Sequence, residues 1–146
     1  MEDIFHLGIK ALIRNGSGEI LLLKVNKEAL KGYSGEAYWD IPGGRIHKNA
    51  SIEQTLQREV EEETGLTDIS HISKLDMVLS NNIRTPLKDG GDVGLILAIY
   101  LCDVSNYETI SISEEHTEYR WFSPADASEL LKIKYPAEFT DKIAKL

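Results

Sequence analysis

Hydrophobic and polar positions alternate along the first quarter of the chain, with the period of two that is typical of β-strands. Two runs rich in β-branched and other apolar residues, 4–13 and 19–25, flank a tetrapeptide, Asn-Gly-Ser-Gly, at 15–18. Residues of that kind adopt the positive backbone dihedral angles that a tight turn needs. The pattern therefore predicts an antiparallel pair of strands at the start of the fold.

The alternation stops between residues 26 and 37, where two glycines indicate a loop with Tyr33 near its tip. A short strand is predicted over residues 38–41. Pro42 cannot donate a backbone hydrogen bond, so the following Pro-Gly-Gly sequence is expected to end that strand.

A period of about four residues replaces the strand pattern after residue 50. Ser51 and Gln54 have the spacing of a capping box, in which each side chain bonds the other residue's backbone N–H. Apolar residues follow at steps of four, at Ile52, Leu56 and Val60. Gly65 can adopt the left-handed conformation found just past helix ends. These signals predict a helix over residues 52–64.

The second half of the chain returns to strand patterns and then to helix signals. Further strands are predicted at 75–80, 93–103 and 117–122. The run at 93–103 is apolar on both faces, which predicts a central strand. Ser123 followed by Pro124 is typical of a helix start, and Pro136 is expected to open a last short helix. The element order indicates a mixed α/β layer architecture.

Composition narrows the class of protein. The chain has 146 residues and a net charge of −8, which predicts one domain, residues 1–146, that binds neither polymeric nucleic acid nor anionic membranes. The longest apolar run has ten residues, against roughly 20 for a membrane span. The single cysteine, Cys102, is expected to be an inert buried side chain, and the acidic start of the chain does not look like a targeting segment. A cytoplasmic location is therefore expected.

The densest acidic stretch lies on the predicted helix. At about 100° per residue, Glu59, Glu62 and Glu63 share one face, while Glu61 points nearly opposite. Clustered carboxylates of this kind repel one another unless a cation offsets their charge, and Mg²⁺ prefers carboxylate oxygen. The alternative is a solvated helix face in which Arg58 pairs with Glu62 four residues on.

The segment 44–66 resembles the signature of the Nudix hydrolases: Gly, five residues, Glu, seven residues, then Arg-Glu-apolar-any-Glu-Glu-any-Gly-apolar. The matching residues are Gly44, Arg58, Glu59, Val60, Glu62, Glu63, Gly65 and Leu66. One position departs, because Ala50 stands where the signature has its first Glu. The resemblance implies a Nudix-like α/β/α sandwich with a mixed β-sheet.

The same resemblance implies a reaction and a cofactor. It implies hydrolysis of a nucleoside diphosphate linked to another group, by attack of water on phosphorus. Mg²⁺ is the expected cofactor, with Mn²⁺ as a second choice. The implied metal ligands are Glu59, Glu62, Glu63 and the backbone carbonyl of Gly43.

The resemblance leaves the general base open between two carboxylates. Glu62 is one candidate, and the other lies in the acidic stretch before the strand at 117–122. There Glu115 is preferred to Glu118, because a loop end moves toward the metals more easily than a strand residue. Arg58 is expected to orient the carboxylates.

Substrate contacts are expected from the first sheet and its loops. Lys24 and Arg45 are candidate phosphate partners, and Tyr33 and Tyr38 are candidates for stacking on a base. Ordinary surface or packing roles are the alternative for each of them.

Two functions remain open at this point. The first is a pyrophosphohydrolase that acts on a small nucleotide, either a nucleoside triphosphate or a nucleoside diphosphate sugar. The second is a Nudix-fold nucleotide-binding or regulatory module with weak catalysis, which Ala50 motivates. Exposed strands of the first sheet could also pair two subunits into a homodimer.

Overall fold

The computed structural model describes residues 1–30, 33–81 and 83–146. The strands are β1 (Phe5–Arg14), β2 (Ile20–Val25), β3 (Trp39–Asp40), β4 (Gly43–Arg45), β5 (Ser70–Leu79), β6 (Thr85–Pro86), β7 (Asp92–Asp103) and β8 (His116–Phe122). The α-helices are α1 (Ile52–Thr64), α2 (Pro124–Leu130) and α3 (Ala137–Ala144). Short 3₁₀ turns cover Lys27–Ala29 and Leu131–Ile133.

Strand β1 organises a mixed sheet. It runs parallel to β7 over its whole length, from the pair Phe5–Gly94 to the pair Arg14–Asp103. Its other edge is antiparallel to β2 at the hairpin and to β4 further along. Strand β5 lies antiparallel to the outer edge of β7, and β2 also pairs with β3 and β8. The predicted antiparallel start and the predicted central position of residues 93–103 are both confirmed.

Helices cover both faces of this sheet. One buried cluster joins Leu56 and Val60 of α1 to Ile9 and other residues of β1. A second cluster packs Phe139 of α3 and Leu131 against the opposite face. Side chains of a strand point alternately to the two faces, so a strand covered on both sides is apolar throughout. The predicted mixed α/β sandwich is confirmed.

Three features of the fold differ from the sequence predictions. Strand β5 begins at Ser70, not at residue 75, because its polar first half pairs with β7 through backbone bonds while its side chains stay exposed. Residues 43–45 form β4, although two of the three are glycines with little strand preference. The two-residue strand β6 has no sequence signal and pairs with the start of β7.

The expected loop at 26–37 is present in its described part, and its first residues form the 3₁₀ turn that Asn26 caps. Residues 31 and 32 of that loop lie outside the described residues. Over the ranges 1–30, 33–81 and 83–146, no helix is long and apolar enough to cross a membrane.

Candidate active site

Helix α1 has the limits that its capping signals predict. The Ser51 hydroxyl accepts a hydrogen bond from the Gln54 backbone N–H, and the Gln54 side chain accepts one from the Ser51 N–H, both at 3.1 Å. Gly65 ends the helix with a φ of 78°. Because Leu56 and Val60 are buried against the sheet, the orientation of the acidic residues is set by the packing of the apolar ones.

Strand β4 lies directly beneath the acidic face of α1. The Gly43 backbone N–H donates a 2.7 Å hydrogen bond to Oε2 of Glu63. A Cβ on Gly43 would stand 2.2 Å from the Ile9 carbonyl oxygen, and one on Gly44 would stand 2.5 Å from the Glu59 carboxylate. Gly43 therefore allows β4 to lie close to the backbone of β1, and Gly44 allows the Glu59 carboxylate to lie against β4.

The three helix carboxylates differ in exposure. The Glu63 residue is 4% exposed, whereas the side chains of Glu59 and Glu62 are 14% and 60% exposed. Arg58 Nη2 lies 3.0 Å from Glu59 Oε1, and Arg58 Nε lies 3.9 Å from Glu62 Oε1. These contacts fit the expected role of Arg58 in orienting carboxylates, and they also include the i,i+4 pair of the alternative interpretation.

The turn before α1 contains the departure from the signature. The Ala50 N–H donates to the carbonyl of His47 at 3.1 Å, which closes the turn. His47 Nδ1 lies 3.5 Å from Nη1 of Arg58. An imidazole thus stands beside the Arg58 guanidinium, and position 50 contributes no carboxylate.

Glu63 carries the largest electrostatic perturbation among the acidic residues of α1. Burial raises its pKa to about 8, an effect that the charges of Glu59 and Glu115 increase and that Lys10 and the Gly43 N–H oppose. A carboxylate that burial discourages from ionising gains most from a nearby cation. The donor set, which is all oxygen on α1, suits a hard divalent cation such as Mg²⁺.

Glu115 reaches the same place from a distant part of the chain. One carboxylate oxygen of Glu115 lies within 4.8 Å of ligand atoms of Glu63 and His116. Asn26 holds the backbone here, because its N–H donates to the Glu115 carbonyl at 2.9 Å and its Nδ2 donates to the Glu114 carbonyl at 3.1 Å. The structure thus brings Glu115 to Glu63 of α1.

Glu118, the other acid of that stretch, lies within β8 and pairs in register with Lys24. His116 was not among the sequence candidates. It has no Cys or acidic residue at the sequence spacing that is typical of a zinc site, so nothing in the sequence was a reason to choose it. Burial lowers the pKa of His116 to about 4, helped by the positive charges of Lys10 and Lys134.

A buried network of charged side chains lies next to the site, since its Lys10 also acts on the charge of Glu63. Asp40 Oδ2 accepts hydrogen bonds from Lys134 Nζ at 2.6 Å and Lys10 Nζ at 3.3 Å, and Oδ1 accepts from the Tyr135 hydroxyl at 2.6 Å. Burial alone would raise the pKa of Asp40, but the two lysines and the hydrogen bonds hold it well below its usual range. Sequence reasoning missed this network, although a lysine and an aspartate inside apolar strand patterns were a signal for it.

The candidate substrate residues are more dispersed. Lys24 Nζ lies over the ring of Trp39, 5.8 Å from its centroid. Arg45 is exposed, and its Nη1 lies 3.2 Å from His6 Nδ1. Neither contact involves a carboxylate of α1.

The two candidate tyrosines contact each other edge to face, with ring centroids 5.5 Å apart. The Tyr33 hydroxyl donates to the Glu36 carbonyl at 2.7 Å. Tyr38 is 4% exposed, so its ring is buried and does not face a ligand.

A cleft of about 360 Å³ opens beside Glu115 and is lined by Asn26, Glu28, Ala29, Glu114 and Glu115.

Comparisons with known proteins agree with this arrangement. The NUDIX domain family model matches residues 4–143. Nucleoside triphosphatase NudI of Escherichia coli is 34% identical over 95 residues, which are 60% of this chain and 63% of NudI. The chain therefore spans about 63% of the length of that curated relative.

Solved structures share the whole fold. The MutT protein from Methanosarcina mazei is 28% identical, with a TM-score of 0.66 over 99% of this chain and 94% of that one. The C. elegans Ap4A hydrolase is 18% identical, with a TM-score of 0.68 over 96% of each chain, and shows the fold alone. The family model matches nearly the whole sequence, and the matched range includes the residues of the acidic site. This chain therefore belongs to the Nudix family.

Proposed function

We propose that residues 1–146 form a single divalent-cation-dependent pyrophosphohydrolase domain that cleaves a nucleoside diphosphate linked to another group. Nucleoside triphosphates and nucleoside diphosphate sugars are the first candidate substrates. The observation that carries the proposal is the meeting of Glu63 from α1 with Glu115 from the loop before β8, next to strand β4, where Gly44 lies against Glu59 and Gly43 bonds Glu63. The name of the relative NudI, nucleoside triphosphatase, supports the substrate class.

The cation would be Mg²⁺ or Mn²⁺, held by Glu59, Glu62 and Glu63 with the carbonyl oxygen of Gly43. The buried, poorly compensated carboxylate of Glu63 fits such an ion. When bound, the cation would offset the charge of the diphosphate and lower the pKa of a bound water molecule.

The side chains of this site can perform the remaining steps. The oxygen of a water molecule forms a bond to phosphorus, and the bond from phosphorus to the bridging oxygen breaks with its electron pair on the leaving phosphate. Glu115 or Glu62 accepts the proton of the attacking water, since both carboxylates are exposed to solvent beside the buried Glu63. Arg58 holds Glu59 and Glu62 in place through its two contacts.

An open cleft of about 360 Å³ lies beside Glu115. Because Glu28, Glu114 and Glu115 line it, a bound cation would have to offset their charge before an anionic substrate could lie there. We propose Arg45 and Lys24 as phosphate contacts and Tyr33 as a contact to the nucleoside. Of these, Arg45 directly follows the two glycines of β4.

The first experiment is a substrate screen of the purified protein. Nucleoside triphosphates, nucleoside diphosphate sugars, ADP-ribose and dinucleoside polyphosphates are incubated with Mg²⁺, with Mn²⁺ and with a chelator, in water enriched in oxygen-18. Mass spectrometry of the products identifies the substrate and the phosphorus that is attacked. Chelator-sensitive cleavage at a diphosphate is expected, and cleavage that persists in the chelator would contradict the proposal.

A matched pair of variants tests the acidic face. Glu63→Gln keeps an oxygen for the Gly43 N–H but removes the charge, and Glu62→Gln removes a candidate base. Each is expected to lower turnover by at least about 10²-fold. Glu61→Gln lies on the exposed opposite side of α1 and is expected to stay within about twofold of the parent protein. Equal effects of all three would show that helix stability, not the site, governs turnover.

The alternative function is a nucleotide-binding or regulatory module, which rests on Ala50. The structure of the Shewanella oneidensis NrtR NUDIX domain contains ADP ribose, and that chain is 20% identical to this one. Tight nucleotide binding in calorimetry, with no cleavage of any compound in the screen, would favour this module over the enzyme. Pairing of two subunits through exposed strands of the first sheet stays a prediction.

A further inference from the structure

The carboxylates of Glu63 and Glu115 share their position with an imidazole. A ring nitrogen of His116 and one oxygen from each carboxylate lie within 4.8 Å of one another. These three side chains reach one point from α1 and from the turn into β8. The three donor atoms together form a mixed oxygen–nitrogen set.

One ring nitrogen of His116 also lacks a hydrogen-bond partner among the described residues. This atom, Nδ1, is buried. A buried polar atom without a partner destabilises the fold, so a protein keeps such an atom more easily where a ligand can bind it. The neighbouring ammonium of Lys10 is already engaged, since its Nζ lies 3.3 Å from Asp40.

The spacing suits a transition-metal ion. Bonds of about 2.1 Å from such an ion to nitrogen and oxygen join ligand atoms up to about 4.2 Å apart. Glu115 is exposed, so a small rotation of its side chain can close the remaining distance. Affinity for a mixed nitrogen–oxygen site rises along the transition-metal series from Mn²⁺ to Co²⁺ and beyond, whereas Mg²⁺ is a hard ion that takes oxygen ligands and keeps several waters.

We propose that His116, with Glu63 and Glu115, forms a mixed-ligand site for a divalent transition-metal ion, so that this chain binds Mn²⁺ through nitrogen at a position where Mg²⁺ binds less tightly. The proposal deepens the proposed function, because it rests on the same acidic site and specifies its metal preference. With Glu115 as a ligand, Glu62 is the candidate that accepts the proton of the attacking water. It assigns a ligand role to a residue outside the signature segment 44–66.

The test measures metal binding and not turnover. Mn²⁺ is added to the metal-free protein, and pulsed electron paramagnetic resonance detects whether a nitrogen nucleus is coupled to the ion. Calorimetry gives the dissociation constants for Mn²⁺ and Mg²⁺ separately. Nitrogen coupling is expected in the parent protein, together with tighter binding of Mn²⁺ than of Mg²⁺.

Two histidine variants complete the design. His116→Gln is expected to abolish the nitrogen coupling and weaken Mn²⁺ binding by about tenfold or more, while the Mg²⁺ constant changes by less than about twofold. His71→Gln, on the exposed strand β5, is expected to keep the coupling. Absence of nitrogen coupling in the parent protein would overturn the proposal. That measurement uses the parent protein alone, so it does not depend on whether either variant folds.

The outcomes separate this proposal from the function above. Nitrogen-coupled Mn²⁺ in a protein that cleaves nothing in the screen would keep the site and reject the pyrophosphohydrolase. Chelator-sensitive cleavage without nitrogen coupling would keep the enzyme and reject His116 as a ligand. Coupling that persists in His116→Gln would assign the nitrogen to another residue and reject the proposal.

Discussion

Replacing Asp40 by alanine is expected to destabilise the protein far more than replacing any exposed acid. Asp40 accepts hydrogen bonds from Lys10, Lys134 and Tyr135, and the side chains of Asp40 and the two lysines are between 6% and 11% exposed. Without the carboxylate, two buried ammonium groups and a buried hydroxyl lose their acceptor. Breaking a buried ion pair from one side leaves the remaining charge uncompensated, which is the costly part.

The magnitude follows from that uncompensated charge. Removing one partner of a buried pair costs about 3–5 kcal/mol of unfolding free energy. For a domain near this size, each kcal/mol lowers the melting temperature by about 2–4 °C, so Asp40→Ala is expected to lower it by about 6–20 °C. Thermal and urea unfolding, followed by circular dichroism at pH 7, measure both quantities.

The matched control is Glu129→Ala. The Lys132–Glu129 ion pair has the same 2.6 Å separation as Lys134–Asp40, but its side chains are 50% and 70% exposed. An exposed pair of this kind contributes about 0–1 kcal/mol. Adding Lys134→Met to Asp40→Ala should recover part of the loss, because one buried charge then disappears. The reasoning is refuted if Asp40→Ala and Glu129→Ala destabilise the protein equally.

Three further predictions concern single residues. Gly44→Ala is expected to weaken divalent-cation binding by about tenfold in calorimetry, because its Cβ would meet the Glu59 carboxylate at 2.5 Å. Gly16→Ala is the control, because nothing lies within 4 Å of its new Cβ, and it should leave that binding unchanged. Equal dissociation constants for Gly44→Ala and Gly16→Ala would contradict the steric explanation. Cys102 is fully buried, and burial raises the pKa of its thiol to about 12. Its reaction with a thiol reagent at pH 8 should therefore require denaturant, and rapid labelling of the native protein would disprove this. Because the pKa of Asp40 is lower in the folded state than the value of about 3.9 expected in the unfolded chain, its stabilisation should be complete above that pH. The difference in unfolding free energy between the parent and Asp40→Ala should shrink as the pH falls from about 4 toward the lowered pKa, and a constant difference down to pH 2 would argue against an ionised Asp40.

Local signals in the sequence were enough to place the helix that carries the acids. Ser51 caps the first turn of the helix through hydrogen bonds with Gln54, and Gly65 ends the last turn in a left-handed conformation. Both signals act within a few residues, so the limits 52–64 follow from the sequence and agree with the structure. The shared face of Glu59 and Glu63 likewise follows from helix geometry alone.

Contacts between distant segments were harder to predict. Strand β4 exists because Gly43 and Gly44 pair with β1, and no local preference of glycine indicates this. The acceptor of Lys134 is 94 positions away at Asp40, so the sequence shows two buried charges but not their partnership. His116 became a candidate ligand only when the turn into β8 was seen beside α1.

The parallel alignment of β1 with β7 has a consequence for how the chain folds. Phe5 pairs with Gly94 and Arg14 with Asp103, so every pair in this ladder is separated by 89 residues. Closing a loop of that length costs about 4 kcal/mol of chain entropy before any contact forms. During synthesis, β1 has no parallel neighbour until residue 103 has left the ribosome. A strand with so many apolar side chains must wait while the residues between β1 and β7 are made, and we expect slow folding and a period of vulnerability to aggregation.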